Sequence, residues 1–207
     1  MSRRSILVSL AVVLTVVPVV WFAVAWLRYP SDRTPNGAYL RVMSAVNRGK
    51  PEAFFAYIET AAQHACYTIR DYRKKSVERA RETYPEPERS ELVERYQALA
   101  SAEDGSDVFA LYARTHGFMD RLRRDLSAVS KIEVDGERAS VETVRGTRYP
   151  FRRRDNGIWG LTSFTATLVA EAEKASRDHA LIEQAARDYV RAKRRPAGQP
   201  RGAATVP

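Results

Sequence analysis

The chain has 207 residues, 44% hydrophobic and 29% charged, with 34 Lys+Arg against 25 Asp+Glu and a net charge of +9. This length suits one modest domain with appendages, and the composition excludes collagen, a disulfide scaffold and a wholly disordered chain. One cysteine cannot form an intramolecular bridge, no Cys/His spacing fits zinc, and no catalytic or nucleotide-binding motif appears, so neither metal nor cofactor is expected.

The amino terminus carries the strongest signal. Ile6 to Leu27 (ILVSLAVVLTVVPVVWFAVAWL) lacks any charged side chain. As a helix it spans roughly 33 Å, enough to cross a hydrocarbon core of about 30 Å. A membrane helix tolerates Pro18. Trp21 and Trp26 suit the membrane–water interface, and Arg3 and Arg4 retain the short end in the cytoplasm. The expectation is a cytoplasmic stub at 1–5, a single-pass anchor in the lipid bilayer at 6–27, and a domain outside the cytoplasmic membrane, periplasmic in location. Ala23-Val24-Ala25 also fits the small-x-small rule, so secretion after cleavage following Ala25 is the alternative. Trp21 and Phe22, bulky for a cleavage region, speak against it.

After a linker at 28–34, Thr34-Pro35 reads as an N-cap followed by proline at the first helical position. Ala38, Val42, Ala45 and Val46 give that helix an apolar face, and Gly49 suits its C-cap. Pro51 starts a second helix, in which Phe55, Ile58, Ala62, Ala65, Ile69 and Tyr72 recur at intervals of three and four. Charge dominates from Arg70 to Glu82, which predicts a solvated arm ending at Pro85-Glu86-Pro87. Leu92, Val93, Tyr96 and Leu99 mark a third helix. Val108, Leu111, Tyr112, Thr115, Met119, Leu122 and Leu126 mark a fourth, with Gly117 as a break.

At Ser130 the period becomes two. Asp135-Gly136, Arg145-Gly146 and Asp155-Asn156-Gly157 separate four short runs, which predicts an antiparallel meander. Ile132, Val134, Val141, Tyr149, Phe151, Trp159 and Leu161 fall on its expected buried face. A long helix follows at 165–194. Its seam of Leu168, Ala172, Ala175, His179, Ile182, Ala186 and Tyr189 is expected to pack on the domain near Leu168–Ile182, with the remainder projecting or pairing with another chain, a second copy included. The domain thus covers 35–194, and the proline- and alanine-rich 195–207 reads as a disordered tail.

The helix, Asn47-Arg48-Gly49-Lys50-Pro51-Glu52-Ala53 and next helix, together with Val134-Asp135-Gly136-Glu137-Arg138-Ala139-Ser140-Val141 and Asp155-Asn156-Gly157-Ile158-Trp159-Gly160-Leu161, resemble the nuclear-transport-factor-2-like (cystatin-like) superfamily, notably its small exported or membrane-anchored members. The resemblance covers roughly 35–164. It implies an α+β cone of helices on an antiparallel sheet, often with a pocket at the open end. The helical stretch from Arg70 to Ser127 and the long final helix are additions to that pattern.

Candidate chemistry is sparse. His116 and Asp120 have the spacing of an oriented base, and equally of a helix-surface ion pair. His64 and Cys66, two apart, do not face each other, and Cys66 reads as a small buried hydrophobe. Tyr57 and His64 lie on a strip that could meet Tyr149 and Trp159 to line a ligand pocket, or could rim the core. Arg148, Arg152 and Arg154 alternate onto the sheet face opposite Tyr149 and Phe151, a surface for anionic lipid or acidic envelope polymer, or a solvated face. Nucleic acid is not expected, because the domain is exported and no nucleic-acid module accompanies the charge. The function these features imply is a non-catalytic binding or assembly module of the cell envelope. The alternative is a small-molecule enzyme or ligand carrier using a pocket between sheet and helices.

Overall fold

The structure, a computed structural model, describes residues 16–21 and 30–194. The stub at 1–5, the flanks of the expected anchor and the tail at 195–207 lie outside the described residues. Residues 16–21 are helical with exposed side chains. Among the described residues no helix is long and apolar enough to cross a membrane.

The described domain is α+β. Helix α1 (Pro35–Asn47) begins where the Thr34 hydroxyl accepts from the Gly37 N–H at 3.1 Å, with Pro35 in the first turn. The segment expected to open the second helix is instead a 3₁₀ helix, Pro51–Tyr57, followed by extended Ile58. Ile58 bridges Leu161 in parallel, and the Glu59 N–H donates to the Leu161 carbonyl at 3.0 Å. That crossing requires Gly160, since a Cβ there would lie 2.7 Å from the Ile58 carbonyl oxygen. Tertiary pairing therefore overrides helical periodicity at this point, and α2 (Thr60–Thr83) starts only after it.

Helices α3 (Glu88–Ala100) and α4 (Gly105–Thr115) follow. A reciprocal capping box of Asp104 and Asp107 starts α4. Gly117, at φ +66°, separates it from α5 (Phe118–Asp125), as the sequence implies. Strands β1 (Val129–Asp135), β2 (Arg138–Thr143), β3 (Arg148–Arg153) and β4 (Trp159–Leu161) form the expected meander in the order β1-β2-β3-β4, with antiparallel pairing throughout. Helix α6 (Thr165–Arg194) closes the described chain.

The core lies between α1, the 3₁₀ helix, α4 and one sheet face, with α2 and the first turns of α6 behind. Val141, Tyr149, Phe151, Trp159 and Leu161 are buried there, as alternation requires. Ile132 and Val134 are not: they remain 37% and 57% exposed. Each lies opposite an inward residue, Ile132 against Val141 and Val134 against Ala139, so they share the inner face. The inner-face residues of β2 to β4 are buried under the helical layer, whereas Ile132 and Val134 of β1 lie at its margin.

Two further expectations change. The charged stretch from Arg70 to Glu82 is not a free arm, because Arg73, Ser76, Val77 and Ala80 are buried. Helix α6 covers that side, and α3 packs alongside α2. The α6 seam is therefore occupied within the chain well beyond Ile182: Ala80, Tyr84, Ile182 and Ala186 form a second apolar cluster with Leu92, Tyr96 and Tyr189 around it. This distal seam packs on α2.

Candidate functional site

Of the four residues expected to line a pocket, three pack in or against the core and His64 is exposed. Trp159 is buried, and its indole N–H donates to the Arg33 carbonyl at 3.1 Å. Tyr149 is buried against Tyr39, with ring centroids 5.6 Å apart. Tyr57 is half-buried, and its hydroxyl donates to Asp32 at 3.4 Å, on the linker side of α1. His64 is exposed on α2. Thus the two strand aromatics fill the core and Tyr57 packs at its edge, while His64 faces outward, because Ile58 and Glu59 leave helical geometry and change the phase between Tyr57 and His64.

Arg148 and Arg152 lie on the face of β3 opposite Tyr149 and Phe151, Arg154 follows the end of the strand, and each of the three is engaged inside the chain. Arg148 donates to Glu142 at 3.0 Å. Arg152 lies 2.7 Å from Glu59, whose carboxylate is buried and also accepts from the Thr165 hydroxyl at 2.7 Å. Arg154 donates to the Ala56 carbonyl at 2.6 Å and to Gln63 at 2.7 Å. These contacts tie the sheet to the 3₁₀ helix and to the starts of α2 and α6.

The remaining candidates separate as well. His116 caps α4 and bonds the Thr115 hydroxyl at 3.1 Å, whereas Asp120 lies in α5, 3.9 Å from Arg123. Cys66 is fully buried, and burial pushes its thiol up to about 12, which suppresses the reactive thiolate. Among the described residues no three His, Cys, Asp or Glu side chains group as a metal site.

Sequence reasoning missed two polar features. The first is a seam linking α2, α3, α4 and α6. Arg73 reaches Asp178 at 2.7 Å and stacks over Tyr96, 4.1 Å from the ring centroid. Ser76 and His179 share a 3.2 Å hydrogen bond, and Tyr112 donates to Glu171 at 3.2 Å. Periodicity shows only that Arg73 and Ser76 lie near the apolar stripe, not that another helix covers them. The second is Tyr39, which donates to the Ser127 carbonyl at 2.6 Å and lies beside the Tyr149 ring. Among the described residues the buried hydroxyl oxygens of Ser127, Thr143 and Tyr149 have no hydrogen-bond partner, and burial raises the Tyr149 phenol well above its ordinary value.

Surface recesses occur on the helical side. One, of about 510 Å³, lies between α3 and α4 and is lined by residues including Ala98, Glu103, Asp107 and Arg114. Another, of about 530 Å³, lies against α3 and is lined by residues including Arg81, Arg89, Val93 and Gln97. No family model, curated protein or solved structure matches the chain.

Proposed function

We propose that this chain is a non-catalytic binding or assembly module of the cell envelope, anchored by residues 6–27 with its domain outside the cytoplasmic membrane. The observation that carries this reading is the packing of α2, α3 and α6 into a helical arm with its own apolar cluster and open surface recesses. The aromatics suited to a pocket wall are committed to the core, where they support rigidity. The resemblance to the nuclear-transport-factor-2-like superfamily is supported by α1 and the 3₁₀ helix lying on one face of an antiparallel meander. An envelope protein fits the arm better than an anionic polymer fits the sheet, because Arg148 and Arg152 already hold Glu142 and Glu59.

The test places a photo-crosslinking residue at Glu94 or Ala98 on the arm, and at Arg138 on the sheet, in the full-length chain in cells. Reproducible adducts to one envelope protein from the arm positions, with reporter fusions placing residue 30 outside, are the expected result. Cytoplasmic exposure of that point, or adducts absent from the arm, would reject the reading.

The ligand-carrier alternative draws on one observation, the buried hydroxyls of Ser127 and Tyr149 next to Tyr39, unpartnered among the described residues. A thermal shift with small polar aromatic compounds, lost in Tyr149→Phe, would favour it over the module.

A further inference from the structure

Among the described residues strand β1 is an unpaired edge with apolar residues exposed on its inner face, a surface that folded proteins ordinarily cover or blunt. The ladder defines which groups are free. Thr143 donates its N–H to Thr147, and the Glu137 carbonyl accepts from Arg153, so the odd residues of β2 bond towards β3. Its even residues therefore bond towards β1, at Lys131, Glu133 and Asp135 in the observed register. Ile132 and Val134 consequently turn their N–H and C=O groups outward. A register shift between Val129 and Lys131 ends the regular edge on one side, and the turn at Gly136 ends it on the other. The free edge is Lys131-Ile132-Glu133-Val134-Asp135.

This segment is chemically complementary to its own reverse. Placed antiparallel to itself about Glu133, it sets Lys131 opposite Asp135 twice on the outer face and Ile132 opposite Val134 twice on the inner face. The outward-turned backbone groups of Ile132 and Val134 then form two hydrogen-bonded pairs. The one unfavourable pairing is Glu133 with itself. Lys131 moderates it, since its ammonium already lies 2.6 Å from Glu133 in each strand. Shifting the pairing by two residues so that Ile132 faces itself would pair Val134 with Ser130, at the register irregularity.

We propose that β1 pairs antiparallel with β1 of a second copy of this chain across a two-fold axis at Glu133, joining the two sheets edge to edge. The partner surface is isologous, so one segment supplies both halves of the interface. Its area is small and its affinity correspondingly modest. The pairing needs only the free edge and does not depend on the module reading or on where the chain resides.

Glu133 sits at a non-hydrogen-bonded position, where opposed Cα atoms approach to about 4.5 Å, within disulfide reach. In the full-length chain, Glu133→Cys should give a disulfide dimer on mild oxidation, whereas Lys174→Cys on the exposed side of α6 should not; buried Cys66 stays in place. Adding Val134→Lys should lower the crosslinked fraction at least tenfold. In sedimentation of otherwise unaltered protein, Glu133→Gln should tighten association about threefold by removing the like-charge pair. Dimer yields from Glu133→Cys no greater than from Lys174→Cys would overturn the proposal. So would a dimer indifferent to Val134→Lys, or one crosslinked only through Leu181→Cys on α6.

Discussion

Arg73, only 3% exposed, donates to Asp178 across the α2–α6 interface at 2.7 Å while its guanidinium lies over the Tyr96 ring. One cation thereby links three helices, and its carboxylate partner comes from a residue 105 positions away. Removing one member of such a buried pair leaves the other desolvated without its counterion. Asp178→Ala should cost about 3 kcal/mol in urea unfolding, whereas Arg73→Met combined with Asp178→Leu should recover most of that loss. A single variant indistinguishable from the parent would show that solvent reaches Arg73.

Trp159 fills the core and bonds Arg33 through its indole nitrogen. Trp159→Ala should lose about 3–5 kcal/mol, with a smaller loss for Trp159→Phe. His64→Ala should leave stability near that of the parent, because His64 is exposed. Acrylamide quenching should be weak once Trp21 and Trp26 are replaced by phenylalanine, and strong quenching would contradict the packing of Trp159.

Cys66 is buried with its thiol raised to about 12. At neutral pH it should resist iodoacetamide and Ellman's reagent in the folded protein and react stoichiometrically in denaturant. Rapid labelling under native conditions would show that the α2 face opens readily.

His179 is half-buried at the α2–α6 seam, and burial lowers its folded pKa below the ordinary value of 6.5, despite the opposing influence of Glu183. Lys75 and Arg79 act in the same direction as burial, and Ser76 bonds the ring. The unfolded chain therefore binds more protons than the folded one as pH falls below about 6.5. Stability should decline from pH 7 towards 5, and His179→Gln should flatten that slope in thermal melts. An unchanged slope would assign the decline to other groups.

Much of the fold was legible because it is governed by local geometry. Thr34-Pro35 starts α1, Gly117 divides α4 from α5, and glycines at 136, 146 and 157 adopt positive φ in the turns of the meander. Alternation placed Val141, Tyr149, Phe151, Trp159 and Leu161 on one face, and that face is buried. Spacing could not say which strand lies beyond the helical layer, so Ile132 and Val134 were expected in the core and are found exposed. For the same reason the charged stretch around Arg73 looked solvated, although α6 covers one side of it. The helical stripe through Phe55 and Ile58 concealed a 3₁₀ turn imposed by the bridge to Leu161, and that turn puts Tyr57, packed at the edge of the core, out of phase with exposed His64. Sequence periodicity determines which side of an element is apolar, because it depends on residues a few positions apart. What covers that side depends on elements tens of residues away, and only tertiary packing decides it.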